Sequence, residues 1–503
     1  MLTLPVILTL VFFAALLGIA AWGMKNTGNM HDFFLGGKTL GPWILAVSYG
    51  AAYFSAVIFV GFAGQFGWKF GLEALWVGIG NAFIGGGAAW LVLGRRTRRM
   101  THNLNAMTMP EFFSARYQTN GMKILSALII FIFLLPYTAS VFKGLTHLFE
   151  VVLGSAYSFT TVLTAITAVC FFYVTFGGYK AIARIDFLLG AVMFVGSILM
   201  AGTLIKDFGG LDAVLTNIPR KIAECAALPA GPLKILPAPW YVLPSVIFMT
   251  SFGVWGLPQM IHKFYAISDE KQIFRGAVIT TVFALVIGCA AYLTGAMSHL
   301  MTSDVFPPLK NGAMIDFDKL VPDLVHARLP ELLLALILLL VLSASMSTLS
   351  SLVLVSASAV TIDLYKGYVR PKADPKHELL VMRSLCGLFI ILAYLITLAQ
   401  PAWIVTLMSL SWGATAGAFL APYMYGLFWK RTTKLGAYAG MLTGLLISNG
   451  VFAFLAIQYG LPKAQSFSPV IAGAAMVVPF LIVPVVSLFT RPPSEATIAR
   501  AFK

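Results

Sequence analysis

Hydroxyl side chains are concentrated in one apolar stretch of this chain, SASMSTLSSLVLVSASA at residues 343–359. At the helical period of 3.6, one stripe contains Ala344, Ser347, Thr348, Ser351 and Ser358, with Ser350 beside it. Hydroxyl oxygens are ligands for a hard cation such as Na⁺, which takes several oxygens. The alternative is close helix packing, in which each hydroxyl bonds to its own helix. We favour a cation site at Ser347 and Thr348.

Two other stretches, SYGAAYFSA (48–56) and SFGVWGLPQ (251–259), place Gly, Ser and Pro inside otherwise apolar helices. Gly weakens a helix, and Pro removes a backbone donor. Irregular backbone at membrane depth persists where it is buried in protein or lines a cavity. Such interruptions at corresponding places of two halves are typical of a transporter binding site, and unwound carbonyls near Gly50 would complete a cation site. Two kinked helices packed through small residues are the alternative.

Lys143 is a charged residue inside an apolar stretch, PYTASVFKGLTHLFE (136–150). A charge at membrane depth is costly and usually has a functional partner. Lys143 pairs with a carboxylate solute, pairs with Glu150 two turns away, or extends its ammonium to the outer interface. The sequence leaves these three alternatives open.

Membrane helices must position these residues. The chain has 503 residues, of which 59% are hydrophobic and 11% charged. A bilayer crossing needs about 20 mostly apolar residues, and the sequence has about thirteen such stretches. They are continuous rather than alternating, which favours helices over a barrel. We predict helices at 2–23, 42–67, 72–94, 122–150, 157–177, 186–205, 240–264, 275–298, 331–361, 379–399, 402–428, 436–458 and 468–489, with short surface helices in the external connections 206–239 and 299–330.

The net charge of +15 is concentrated between the predicted helices, in GRRTRRM (94–100), YKGYVRPKADPKH (365–377) and WKRTTK (429–434). Short basic loops stay in the cytoplasm, which predicts an external N-terminus and a cytoplasmic C-terminus. We therefore expect a multi-pass protein of the plasma (inner) membrane whose partners are the lipid bilayer, Na⁺ and a small solute. No nucleic acid and no obligate protein partner are expected. The four cysteines are scattered without CxxC spacing, so neither a disulfide nor a metal site follows.

Four segments resemble the sodium/solute symporter family: ASMSTLSSLVLVSASAVTIDLYKG, FFLGGKTLGPWILAVSYGAAYFSAVIFVG, FGGYKAIARIDFLLG and FGVWGLPQMIHKFYAISDEKQIFRG. The resemblance implies an all-α polytopic fold of the leucine-transporter type, with two inverted five-helix repeats. It implies a single transport domain over residues 1–503. Within that domain the expected parts are an extra helix at 2–23, repeats at 42–205 and 240–428, and two C-terminal helices at 436–489.

The resemblance also implies site residues. A main sodium site would use the carbonyls of Ala51, Phe54 and Ala344 with the hydroxyls of Ser347 and Thr348. Some family members hold a second sodium, and the matching positions here are Asp186, Ser350 and Ser351. Asp186 lies near a predicted helix end, so capping of that helix is the alternative.

The matched positions for solute lie between the two interrupted helices: Tyr53, Ser55, Tyr137, Ser140, Lys143, Trp255, Pro258 and Gln259. Core packing is the alternative for each aromatic side chain. NAMTMPEFFSARYQ and FGVWGLP resemble the sodium/pantothenate symporters. Tyr53 and Thr250 stand where sodium/proline symporters carry an Asp and a Trp, which argues against proline.

These features predict a sodium-coupled secondary active symporter rather than an enzyme. It would import a small carboxylate, such as pantothenate or a monocarboxylate, by alternating access. The chain has no GxxxxGK[ST] nucleotide motif, so we expect the sodium gradient to drive transport. The alternatives are a proton-coupled or uncoupled transporter of the same fold, using Lys143 or Asp186, and a sodium/amino-acid symporter of the proline type.

Overall fold

The computed structural model describes residues 4–26, 41–153, 157–228, 231, 233–235, 238–267, 269–301, 306–310 and 314–503. Within these residues, eleven helical stretches are long and apolar enough to cross a membrane, and two shorter apolar helices cover Trp43–Tyr53 and Val242–Trp255. The expected all-α multi-pass fold is confirmed. The count of thirteen crossings, the orientation and the boundaries of the two repeats stay predictions.

The helix and strand bounds are as follows. The α-helices are Leu4–Asn26, Pro42–Tyr53, Ala63–Phe70, Leu75–Gly80, Arg95–Leu104, Met109–Tyr117, Asn120–Leu153, Phe159–Asp207, Leu211–Ala227, Val242–Phe252, Pro258–Tyr265, Gln272–Met297, Phe317–Arg328, Glu331–Ser358, Pro375–Ala399, Ile404–Phe428, Lys434–Leu445, Phe452–Tyr459, Leu461–Val477, Pro479–Leu488 and Glu495–Ala501. The π-helical segments are Val57–Phe62, Asn81–Ala88, Trp90–Gly94, Ala359–Val369 and Leu446–Val451. The 3₁₀ segments are Gly71–Ala74, Gly253–Trp255 and Ser298–Leu300, and the strands are Leu309–Lys310 and Met314–Ile315.

Both expected interruptions are present. The first helix ends at Tyr53, Phe54 is extended with φ −108° and ψ 138°, and a helical segment resumes at Val57. In the second, Leu257 is extended with φ −83° and ψ 124°. Pro258 explains this break, because proline disfavours helical geometry in the residue before it and itself tolerates the first helical position. We call these interruptions the first break and the second break.

Two expectations about the connections need correction. The predicted helices 157–177 and 186–205 form one continuous helix, Phe159–Asp207, which contains two membrane-length apolar stretches. The linking sequence YKAIAR has no proline and includes good helix formers, so the helix continues through it. The external helix Phe317–Arg328 is not a surface helix, because Leu320, Leu324 and Val325 are fully buried.

The helix Glu331–Ser358, which we call the hydroxyl helix, lies in the centre of the molecule. Every residue from Val341 to Ala359 is buried. A helix buried on all sides needs neighbours on all sides, which here include the long helices Asn120–Leu153 and Phe159–Asp207. The hydroxyl groups therefore lie inside protein rather than against lipid.

Glycine pairs hold the helix Gln272–Met297 against the first half of the chain. A methyl group on Gly295 would overlap the carbonyl oxygen of Ala63, and one on Gly78 would lie 2.8 Å from the carbonyl carbon of Gly288. Only glycine allows two membrane helices to approach this closely. The segment that follows the first break is thus in backbone contact with Gln272–Met297.

Candidate functional site

The first break brings main-chain oxygens against the hydroxyl helix. Thr348 Oγ1 lies 3.2 Å from the carbonyl oxygens of Ala52 and Phe54, and 3.1 Å from that of Ala344. A threonine hydroxyl has one hydrogen, so it cannot donate to all three oxygens at once. The surplus oxygens lie in a buried region, which is the environment that a dehydrated cation requires.

Ser347 adds a further oxygen. Its hydroxyl is fully buried and neighbours the Asp186 carboxylate. A serine hydroxyl that donates its one hydrogen still has oxygen lone pairs with which to face a cation. Three of the predicted sodium ligands meet directly: Phe54, Ala344 and Thr348. The other carbonyl in contact with Thr348 belongs to Ala52 and not to the predicted Ala51. We call Ala52, Phe54, Ala344, Ser347 and Thr348 the oxygen cluster, and its ligand types fit Na⁺.

A buried ion pair lies next to the oxygen cluster. Ser48 Oγ donates a hydrogen bond to Asp186 Oδ2 at 2.5 Å, and Lys263 Nζ donates to Ser48 Oγ at 2.8 Å. Lys263 Nζ is 3.6 Å from Asp186 Oδ2, and the side chains of the two charged residues are 1% and 0% exposed. Ser347 also neighbours the Asp186 carboxylate. We call Lys263 and Asp186 the inner ion pair, because both lie on the predicted cytoplasmic side.

The inner ion pair corrects one interpretation of Asp186 and adds an unforeseen residue. Asp186 lies well inside the helix Phe159–Asp207, so the capping alternative is wrong. Ser350 Oγ donates to the Ser347 carbonyl at 2.8 Å, and the Ser351 hydroxyl makes no hydrogen bond among the described residues. The sequence signal for Lys263 was its position inside the predicted helix 240–264.

A cavity of about 20 Å³ lies between the first break and the helix Val242–Phe252, which precedes the second break, and it has room for about one water molecule. Tyr53, Ser55 and Tyr137 of the predicted solute residues line it. The sequence did not single out Asn81, Tyr292 and Trp412, which also line it. Thr250, noted only as a departure from the proline symporters, is a further wall residue. Aromatic rings, hydroxyls and one amide therefore form the walls, and no charged side chain is among these lining residues.

The remaining predicted solute residues lie outside this cavity. Trp255 Nε1 donates to the Ile84 carbonyl at 3.1 Å, and Ser140 Oγ donates to the Tyr137 carbonyl at 2.6 Å. Pro258 lines a separate cavity of about 10 Å³ on the predicted cytoplasmic side. Gln259 is buried, and its Oε1 makes no hydrogen bond among the described residues.

Tyr53 and Thr250, the two departures from the proline symporters, contact each other across the cavity wall. The Tyr53 hydroxyl donates to the Thr250 carbonyl at 2.7 Å. The Tyr53 ring also stacks on Phe54, with 4.7 Å between ring centroids. A large side chain on the first break thus faces a small one on the helix before the second break.

Lys143 does not line the cavity. Its ammonium donates to Asp318 Oδ2 at 2.6 Å and to the Ala402 carbonyl at 3.0 Å, and the two side chains are 5% and 3% exposed. The main-chain N–H of Ile404 donates to the same carboxylate oxygen at 3.3 Å. We call Lys143 and Asp318 the outer ion pair.

Two alternatives for Lys143 are therefore wrong. Its side chain is too buried to extend into the outer interface. Its partner is not Glu150, which instead contacts His147 Nδ1 at 3.3 Å and Lys319 Nζ at 3.7 Å. The Lys143 ammonium was a candidate to bind the carboxylate of a solute. In the structure it is instead paired with a carboxylate of the external helix.

A family model described as the sodium:solute symporter family matches residues 33–444. The chain belongs to the sodium:solute symporter family. The symporter is therefore a multi-pass plasma-membrane protein, not an enzyme, and its coupling ion is Na⁺.

Two relatives are similar along most of their length. The osmoregulated proline transporter OpuE of Bacillus subtilis is 31% identical over 497 residues, which is 97% of this chain and 95% of that protein. The sodium/proline symporter 2 of Staphylococcus saprophyticus is 30% identical over 448 residues, which is 88% of this chain and 84% of that protein. These similarities do not support the expectation that the chain stands closest to the sodium/pantothenate symporters.

Solved structures agree on the fold. A Na⁺-coupled sialic acid symporter in a substrate-bound outward-open state has a TM-score of 0.74 at 16% identity, with 98% of each chain covered. MhsT in complex with L-phenylalanine has a TM-score of 0.51 at 14% identity, covering 89% of this chain and 97% of that one. At these identities the likeness shows the leucine-transporter-type fold alone.

Proposed function

We propose that this symporter imports a small zwitterionic solute of the proline class together with Na⁺, by alternating access. The observation that carries the proposal is a cavity between the first break and the helix that precedes the second break, with the oxygen cluster beside it. The names of the two relatives, both proline transporters, support the solute class.

The helix ends at the first break suit a zwitterion. A helix carries partial negative charge at its C-terminus and partial positive charge at its N-terminus. Pro42–Tyr53 presents its carbonyl end to the break, and the segment beginning at Val57 presents its amide end on the other side. The carbonyl end would stabilise Na⁺ and an ammonium group, while the amide end would stabilise a carboxylate.

Sodium would bind at the oxygen cluster. The hydroxyls of Ser347 and Thr348 and the carbonyls of Ala344 and Phe54 supply four oxygens, and Ala51 or Ala52 supplies another. The second predicted position, formed by Asp186, Ser350 and Ser351, differs because Lys263 already balances the Asp186 charge. The proposal therefore rests on the first site.

Alternating access requires the cavity to open to one side at a time. The outer ion pair ties the external helix Phe317–Arg328 to the helices Asn120–Leu153 and Ile404–Phe428. The inner ion pair, with Ser48, ties the helix of the first break to Phe159–Asp207 and Pro258–Tyr265. Both pairs are formed in this structure, and each would separate as its own side opens.

A monocarboxylate or pantothenate is the second candidate. It is favoured by the cavity lining, which lacks an acidic side chain to pair with an ammonium group. Tyr53 stands where the proline symporters carry an acid. Pantothenate requires more expansion of the cavity than proline does, because it is the larger molecule.

The test is uptake by purified symporter in liposomes with an inward Na⁺ gradient. Labelled proline, pantothenate and lactate are compared, with choline replacing Na⁺ at several pH values. We expect Na⁺-dependent accumulation of proline that the other two solutes do not inhibit. Accumulation of lactate or pantothenate alone would replace the proposed solute class, and accumulation that persists in choline and follows a proton gradient would end the sodium assignment.

A further inference from the structure

A large pocket of about 480 Å³ lies far from the solute cavity, where three elements end together. Its walls come from the helical segment through Trp90–Gly94 and Arg95–Leu104, the end of Ile404–Phe428, and the residues after Glu495–Ala501. The positive-inside pattern of residues 94–100 places this pocket at the cytoplasmic face of the membrane.

The pocket is lined by both apolar and cationic side chains. Leu91 and Phe428 are 54% and 39% exposed. Arg95, Arg96 and Lys503 line the same pocket. An amphipathic pocket of this kind at the membrane surface suits a molecule with an anionic head and a hydrocarbon tail.

The positive charge of the pocket is only partly balanced. Glu270 accepts from Arg95 Nε at 2.8 Å and from Arg99 Nε at 2.5 Å. Arg96 makes no ion pair in the described part of the chain, and its guanidinium instead lies 4.4 Å from the centroid of the Phe428 ring. Two arginines are thus held in place by one carboxylate, while the third lies against an apolar side chain of the pocket.

A further cation lies behind the pocket. Lys430 Nζ is 5.8 Å from the centroid of the Phe502 ring, which forms part of the pocket wall. Guanidinium groups bind phosphate oxygens in a bidentate geometry. Basic pockets between membrane helices on the cytoplasmic side bind anionic lipid headgroups.

We propose that this pocket binds one anionic phospholipid of the inner leaflet. Its phosphate contacts Arg96 with support from Arg95 and Lys503, and an acyl chain lies along Leu91 and Phe428. The proposal is independent of the solute and of the sodium site.

The test uses the full-length symporter in a neutral detergent. Phosphatidylglycerol, phosphatidylcholine or inorganic phosphate is added, thermal unfolding is followed, and retained lipid is counted by native mass spectrometry. We expect phosphatidylglycerol to raise Tm and to remain bound at one molecule per chain. Phosphatidylcholine and inorganic phosphate should have little effect, because each lacks either the net charge or the hydrocarbon.

Two variants and one control locate the site. Arg96→Gln should weaken phosphatidylglycerol binding about fivefold, the usual effect of one basic residue at a membrane surface. Lys503→Gln should weaken it less, and because the Lys503 side chain is exposed, misfolding is a poor explanation for any change. The control is Arg370→Gln, which removes an exposed arginine from the connection 370–374 and should leave binding unchanged.

Three results would overturn the proposal. Unchanged lipid binding in both Arg96→Gln and Lys503→Gln would remove the pocket from consideration. An equal loss in Arg370→Gln would indicate attraction by the whole cytoplasmic surface. An equal Tm increase with inorganic phosphate would indicate an anion site that does not use the apolar wall.

Discussion

The outer and inner ion pairs lie on opposite sides of the cavity, and their charged groups are alike while their surroundings differ. Each joins a lysine to an aspartate that is distant in sequence, and each is almost completely buried. The outer pair is supported by main-chain groups at Ala402 and Ile404. The inner pair is supported by the Ser48 hydroxyl and adjoins Ser347 of the oxygen cluster.

From this difference we infer that the inner side responds to the coupling ion. A cation at the oxygen cluster would lie near the inner ion pair, where it would change the electrostatic balance between Lys263 and Asp186. The outer ion pair has no such neighbour, and what it holds is the external helix. We therefore expect variants of the inner pair to alter sodium dependence and variants of the outer pair to alter external access.

The largest effect is expected from Lys263→Met, which leaves the Asp186 carboxylate buried without a counter-ion. Breaking a buried pair in this way typically costs about 3–5 kcal/mol, so the variant should unfold at a markedly lower temperature and lose uptake. The double variant Lys263→Met with Asp186→Asn should recover much of the stability. Lys221→Met, at the exposed pair with Glu224, is the control and should not change stability measurably. If Lys263→Met had the same unfolding temperature and uptake as this control, the assigned importance of the inner ion pair would be contradicted.

Lys143→Met should have a smaller effect of about 2–3 kcal/mol, because the side chains of the outer pair are 5% and 3% exposed, against 1% and 0% for the inner pair. It should also favour the outward-open state. A cysteine in place of Met408, a residue that lines the cavity, reports this opening in a background without the native cysteines. A membrane-impermeant thiol reagent added outside should label it faster when Lys143 is changed than when Lys263 is changed. The reverse order would exchange the roles of the two pairs.

Thr348→Ala should raise the Na⁺ concentration for half-maximal uptake about tenfold, equivalent to about 1.4 kcal/mol. Ser347→Ala should act in the same direction, and solute affinity at saturating Na⁺ should change less in both. Ser358→Ala removes a hydroxyl of the same stripe that bonds only to the Val355 carbonyl, and it should behave as wild type. Unaltered sodium dependence in both Thr348→Ala and Ser347→Ala would rule out the oxygen cluster as the sodium site.

The last prediction concerns the outer side alone, where we expect the thermal stability to depend on pH. Burial is the main reason that the pKa of Asp323 in the external helix is raised to about 6; Lys319 opposes the shift, and Asp316 and Glu150 contribute to it. Because the carboxyl pKa is raised on folding, the folded state binds this proton more tightly than the unfolded state does. The resulting contribution to the free energy of unfolding is complete below about pH 4 and is lost as pH rises through 6. The Tm difference between wild type and Asp323→Asn should therefore shift in favour of the variant as pH rises from 4 to 7. A constant difference would show that Asp323 titrates normally.

The two breaks and the position of the hydroxyl helix were predictable from sequence because each depends on local chemistry. Gly, Ser and Pro in apolar stretches weaken a helix wherever it packs. A run of hydroxyls such as Ser347 and Thr348 needs partners in hydrocarbon, which favoured a central helix against a break.

The charged partners were not predictable in the same way. Lys143 pairs with Asp318, a residue 175 positions away in a connection that the sequence indicated only as external. Glu150 was the natural candidate because it is near in sequence, yet the helix directs it towards His147 and Lys319. The contact of the Ala52 carbonyl with Thr348 depends on the exact geometry of the break, which residue types alone do not specify.

The glycine contacts between Gln272–Met297 and the segment after the first break limit how the transporter can move. Backbones in direct contact leave no room for one helix to slide past the other, so the two should travel as one rigid unit. Spin labels at two exposed positions, Trp76 beside Gly78 and Phe274 on Gln272–Met297, should report the same separation in every state of the transport cycle. Distances from either helix to the hydroxyl helix should change instead.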